Sequence, residues 1–160
     1  MVGAFLLYTS AACGEELLPI GLGKQLLVDD YVISEKQNVT RSLGEETKRG
    51  VALEAGDEWG HVTTKPFRLD GDTLEVNIEA SEGGFLVEML DADHQPYVDS
   101  AKKQEFDWDN NRIYRNVDGL QLQPRWRGDR NLESLVGKVV RLRFRLRNAK
   151  LYAFQIKSKD

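Results

Sequence analysis

Val140-Arg141-Leu142-Arg143-Phe144-Arg145-Leu146, continued by Arg147, decides the fold. Successive side chains of an extended chain point to opposite faces, so Val140, Leu142, Phe144 and Leu146 share one side and the four arginines the other. Wound as a helix, the same residues would scatter apolar groups around every face. The stretch is therefore read as a half-buried β-strand. Asn148-Ala149 supplies turn chemistry after it, and Leu151 to Ile156 returns as its partner, with Tyr152, Phe154 and Ile156 inward.

Toward the N-terminus the pattern repeats. Asn131 to Val136 is the one plausible helical turn, closed by Gly137. Leu120 to Trp126 alternates with Leu120, Leu122 and Trp126 inward, and Pro124 marks an edge or bulge. Phe85 to Leu90 is apolar apart from Glu88, as a buried strand requires. Leu74, Val76 and Ile78 form the inward face of another, bounded by Asp70-Gly71-Asp72 and by a turn at Ser81-Glu82-Gly83-Gly84. Many one-sided strands without an ordinary helix predict an all-β fold, an antiparallel β-sandwich of jelly-roll type. It spans residues 50–160, with Gln25–Ile33 as an extra N-terminal strand.

The chain has 160 residues, 41% hydrophobic and 30% charged, with a net charge of −4. Residues 1–120 carry 11 Lys/Arg against 23 Asp/Glu, and residues 121–160 carry 11 against 3. The acidic total argues against nucleic acid as a partner, and the two parts can neutralise each other within one fold. Residues 1–12 pair an apolar stretch with the small residues Ser10-Ala11-Ala12, as an export signal does, which predicts a secreted or periplasmic protein. Cys13, the sole cysteine, follows as a candidate lipid-anchor site and excludes an intramolecular disulfide. Residues 13–49 form a linker and an N-terminal arm. No stretch reaches the roughly 20 apolar residues of a transmembrane helix.

Lys24-Gln25-Leu26-Leu27-Val28-Asp29-Asp30-Tyr31-Val32-Ile33 resembles the opening strand of secreted bacterial proteins related to β-propeller glycoside hydrolases. Leu53-Glu54-Ala55-Gly56, Thr63-Thr64-Lys65-Pro66-Phe67, Leu90-Asp91-Ala92-Asp93, Trp126-Arg127-Gly128, Leu135-Val136-Gly137-Lys138, Val140 to Phe144 and Asn148 to Phe154 resemble their terminal β-sandwich. The resemblance covers about 25–43 and 50–157. Between those blocks the family places its catalytic propeller, and here only Gly44 to Arg49 intervene. The resemblance thus implies a non-catalytic accessory or structural module, with a propeller domain or another subunit as partner. Two alternatives stand beside it: a carbohydrate-binding module, and the remnant of a glycosyl hydrolase.

The side chains point the same way. Asp29 and Asp30 form a tempting carboxylate pair, but neighbours on one strand face opposite sides and cannot flank one glycosidic bond. A backbone-bonding role at a domain edge is the expectation for them. Glu75, Glu79 and Glu88 are expected on a solvent face, answering the arginines. His61 and His94 lack the neighbours that a metal or nucleophile site needs, so neither metal nor cofactor is predicted. The pairs Asp70/Asp72, Asp91/Asp93 and Asp107/Asp109 leave a structural calcium open, although Asp is common in turns without one. The stripe Arg141, Arg143, Arg145 and Arg147 reads as a solvated ladder, a partner surface or a polyanion groove. For polysaccharide the candidates are the aromatics Trp59, Trp108 and Tyr114, because a flat ring packs on the apolar face of a sugar.

Overall fold

A computed structural model describes residues 15–43, 50–99 and 104–158. Its strands are β1 (Lys24–Leu26), β2 (Ile33–Gln37), β3 (Thr40–Leu43), β4 (Val51–Ala55), β5 (Gly60–Thr64), β6 (Phe67–Arg68), β7 (Thr73–Leu90), β8 (Val98–Asp99), β9 (Gln104–Glu105), β10 (Tyr114–Leu122), β11 (Val139–Arg147) and β12 (Ala149–Lys157). A 3-10 turn at Glu133–Leu135 is the helical element among the described residues, and Gly137 follows it at φ 83°.

The spine is β7, 18 residues long. Its first half pairs with β12, from Thr73↔Lys157 to Glu79↔Lys150, and its second half pairs with β11, from Gly84↔Arg147 to Leu90↔Arg141. Strand β10 runs along the other edge of β7 from Val76 to Phe85. Sheet order is β2-β5-β11-β7-β12-β4-β3, and the paired neighbours are antiparallel. The sheet curls onto itself around an apolar core. Phe144 on β11 and Phe154 on β12 meet at 5.4 Å between ring centroids, although their register partners on β7 are Val87 and Val76. Phe85 stacks on Phe144 at 6.3 Å.

This arrangement corrects three expectations. Ser81 to Gly84 is a bend inside β7, not a turn between two strands. The bend is where β7 changes partner, and the chain crosses tightly there: a Cβ on Gly83 would overlap the carbonyl oxygens of Arg147 and Asn148. Strands β11 and β12, joined at Asn148 (φ 43°), each pair with β7 instead of forming a hairpin with each other. Gln25–Ile33 is not one strand either. A turn separates β1, which pairs with β12, from β2, which pairs with β5, and β3 adds a third strand beside β4. The N-terminal arm is woven into the sandwich.

Trp126 is buried as expected, edge-on to Phe106 at 5.5 Å. Leu120 is not inward but exposed, because a register shift between Gly119 and Leu122 turns it out.

Candidate functional site

One end of the sandwich collects the loop between β4 and β5, the bend of β7 and the turn between β11 and β12. Asn148 N–H donates to the Gly56 carbonyl at 2.8 Å, and Asn38 Nδ2 donates to the Trp59 carbonyl at 3.4 Å, so the loop that carries Trp59 is tied at both ends. The indole then crosses to β7. A Cβ on Gly84 would lie 3.2 Å from Trp59 Cη2 and 3.8 Å from Ile113 Cγ2, so both side chains gather over this glycine. Gly84 alternates with the core residue Phe85 and therefore belongs to the outer sheet face. Trp59 is 38% and Ile113 41% exposed. An apolar platform thus stands open on a sheet surface, held by a pinned loop.

The other two aromatic candidates do not join it. Tyr114 is opposite Phe85 in register and packs against that ring at 6.1 Å. Its hydroxyl accepts from the Arg125 N–H at 2.8 Å, and the Arg112 guanidinium lies 5.9 Å from its ring centroid. Tyr114 is thus half-buried with its polar end spent. Trp108 is 52% exposed on the turn at Asp107–Asn110. Asn111, which follows that turn, accepts from the Val87 N–H through Oδ1 at 2.9 Å, and Phe106, which precedes it, accepts from the Met89 N–H at 2.8 Å. Those anchors place Trp108 further along β7, away from Gly84.

The arginine stripe is largely consumed inside the fold, a correction to its reading as one surface. Arg141 is buried, 3% exposed, and donates to the Ala92 carbonyl at 3.2 Å, the Thr64 carbonyl at 3.3 Å and the Glu15 carboxylate at 2.6 Å. Arg143 donates to Thr63 Oγ1 at 3.0 Å and lies 3.7 Å from Glu35. Arg145 donates to Glu88 at 2.8 Å. Glu88 is itself only 2% exposed, so it is not on a solvent face as expected. Glu75, also buried, pairs with Lys157 at 2.7 Å instead of with an arginine, and Glu79 bonds Ser81. Of the stripe, Arg147 alone is exposed and without a carboxylate partner among the described residues.

Asp29 and Asp30 sit in the turn after β1, not on a strand. Asp29 Oδ1 accepts from the Tyr31 N–H at 2.9 Å, a backbone-bonding role. Asp30 accepts from Arg41 and Lys36, and these cations, Arg41 first, hold its carboxyl below the usual carboxylate range. One member of two aspartate pairs caps a turn: Asp91 Oδ1 accepts from the Asp93 and Gln95 N–H groups, each at 2.9 Å, and Asp107 Oδ1 from the Asn110 N–H at 3.0 Å. In the third pair Asp72 accepts from Thr73 Oγ1 and Asp70 lies 3.6 Å from Arg68. Among the described residues no group of three His, Cys, Asp or Glu is placed to hold a metal. His61 Nε2 lies 3.3 Å from Glu35, within the same surface ladder as Arg143. No described helix is long and apolar enough to cross a membrane. Cys13 and the residues 1–12 lie outside the described residues, as does the gap at 44–49 between the two blocks of resemblance.

No protein-family model and no curated protein matches the chain. Among solved structures it is similar to a carbohydrate binding module (CBM6cm-2) from Cellvibrio mixtus lichenase 5A, solved in complex with cellotriose. The TM-score is 0.53 at 9% identity, and the match covers 88% of this chain and 99% of that one. What the two share is the fold. Both are β-sandwiches, and the added N-terminal strands here belong to one unit with the rest.

The sequence offers Trp59 as a loop aromatic, but its setting against Gly84 and Ile113 is not legible there, since neither is a distinctive residue type by itself. The usable signal was Gly83-Gly84 in an otherwise apolar stretch, which marks close approach of something else to the strand.

Proposed function

We propose that this chain is a carbohydrate-binding module, with the Trp59 platform over Gly84 and Ile113 as its sugar contact. The observation that carries the reading is the half-exposed indole, locked by its loop onto the outer face of a β-sandwich. A ring already fixed in place loses little freedom when a pyranose packs on it. The likeness in fold to a carbohydrate binding module solved in complex with cellotriose supports the same reading. In this proposal the module is an accessory unit of a secreted protein related to the propeller glycoside hydrolases, and Trp108 is an outlying second contact.

The competing role, a brace against a propeller or second subunit, rests on the arginine stripe and on an unpartnered Asp29–Ile33 strand, yet the strands at that segment pair with β12 and β5 of this chain. Three of those four arginines are spent on Glu15, Glu35 and Glu88. The sugar reading therefore has the better support.

Affinity electrophoresis tests it, through gels carrying β-glucan, xylan, arabinan, fructan or pectin, with cellotriose as soluble competitor. Retardation of the protein by at least one polysaccharide is expected, with loss of most of it in Trp59→Ala. If no gel retards the protein, or Trp59→Ala migrates like the parent, the reading fails.

A further inference from the structure

We infer that the saccharide held on the Trp59 platform is an acidic one, a polysaccharide bearing uronate carboxylates. The inference rests on the carbohydrate-binding reading and adds the class of ligand. Gly84 has two register partners, Arg147 on β11 and Arg115 on β10. Directly opposed residues of antiparallel strands project to the same face. Both arginines therefore rise from the face on which Trp59 meets Gly84, one on each side of that glycine. With neighbouring strands about 4.8 Å apart, their stems begin about 10 Å from each other. Each guanidinium offers a planar fork of donors that fits a carboxylate with two parallel hydrogen bonds.

The charge pattern around them gives these two arginines their meaning. Arg141, Arg143 and Arg145 each have a carboxylate of this chain, in Glu15, Glu35 and Glu88. Arg115 and Arg147 are exposed and have none among the described residues. The acidic side chains of this end gather instead around a groove that Trp59, Gly84, Arg115 and Arg147 do not line. Glu54 and Glu79 are both in register with Lys150, alternate with core residues, and open with Asp57 and Glu82 onto a groove of about 460 Å³. Glu58 is the nearest acidic residue in sequence to the indole, and it forms no ion pair with either arginine. An aromatic flanked by two unmatched forks suits a sugar carrying its own negative charge, and a neutral glycan would leave both arginines unused.

Homogalacturonan offers a matched pair of probes, since full methyl esterification removes the charge and keeps the backbone. Retardation should be stronger in gels of the de-esterified polymer, and Arg115→Gln/Arg147→Gln should weaken that retardation about tenfold, the scale of a lost charged hydrogen bond. Both positions are exposed, and an unchanged melting temperature confirms that the variant folds. Polyacrylate serves as an anion without sugar. Equal retardation by esterified and de-esterified polymer, or by polyacrylate and the uronate, overturns the inference. If retention on a neutral glycan such as β-glucan persists in either case, the carbohydrate-binding reading survives that failure. Should no glycan of either kind retard the protein, the underlying reading falls as well.

Discussion

Arg141 Nη2 donates to the Glu15 carboxylate at 2.6 Å, joining positions 126 residues apart. The arginine is buried and the glutamate partly exposed, so the pair ties the start of the described chain to the beginning of β11. Leu18 follows, buried, its N–H donating to the Pro66 carbonyl at 2.9 Å. The hydrogen bond from Arg141 holds the Glu15 carboxyl below its ordinary value of 4.5. Glu15→Gln should therefore lower stability at neutral pH by about 1–2 kcal/mol, less than a fully buried pair because Glu15 reaches water. As pH falls below about 4.5 the unfolded chain takes up its proton first, so this contribution is lost as pH drops through the folded value. Urea melts at pH 7 and pH 3 check this: the gap between parent and variant should shrink at the lower pH.

Arg145 and Arg147 differ by two positions and should differ sharply on mutation. Arg145→Ala leaves Glu88 charged and 2% exposed, without its 2.8 Å partner. A loss of about 2–4 kcal/mol is expected, by the cost of stranding a buried charge. Arg147→Ala, on the exposed end of the same strand, should stay within about 0.5 kcal/mol. Equal effects in urea denaturation would contradict the burial of Glu88.

The crossing at Gly83 is tested by size. Gly83→Ala must displace the backbone at Arg147 or Asn148 and should cost about 2–3 kcal/mol, the range for an overpacked site. Gly56→Ala, where a Cβ would meet nothing within 4 Å, is the control and should change stability by less than about 1 kcal/mol. Thermal melts of the two variants measure the difference.

These results also show where the sequence was legible. The alternation at Val140–Leu146 named the correct inward side of β11, and the same rule found the inward residues of both halves of β7. Alternation reports faces and is silent on neighbours. It could not say that β11 and β12 would each choose β7, because that choice is fixed by packing Phe144 against Phe154 across a curled sheet. Ser81-Glu82-Gly83-Gly84 has the composition of a turn, yet its glycines serve close passage at a bend. Arg141 reads as solvent-facing because the residues that cover it, Glu15 and Ala92, are distant in sequence. At the candidate site the aromatic was visible, while the glycine beneath it and the arginines beside it needed the register of three strands.

The last prediction uses the tryptophans as reporters. Trp126 is 2% exposed, Trp59 38% and Trp108 52%, so acrylamide should quench two of the three indoles and leave Trp126 as the blue-shifted remainder. Trp126 is locked against Phe106 in the core, and its emission should vanish as a distinct component only on unfolding. A bound saccharide that packs on Trp59 must shield it, since the exposed part of the ring is the part open to the quencher. In Trp108→Phe, where Trp59 is the one accessible indole, saturating oligogalacturonate should lower the quenching constant about twofold or more, in keeping with loss of roughly half the ring's accessible area. In Trp59→Phe, where Trp108 reports, the same ligand should change quenching little, because the anchors at Met89 and Val87 hold that turn away from Gly84. Protection that follows Trp108 instead would move the contact surface to the Asp107–Asn110 turn.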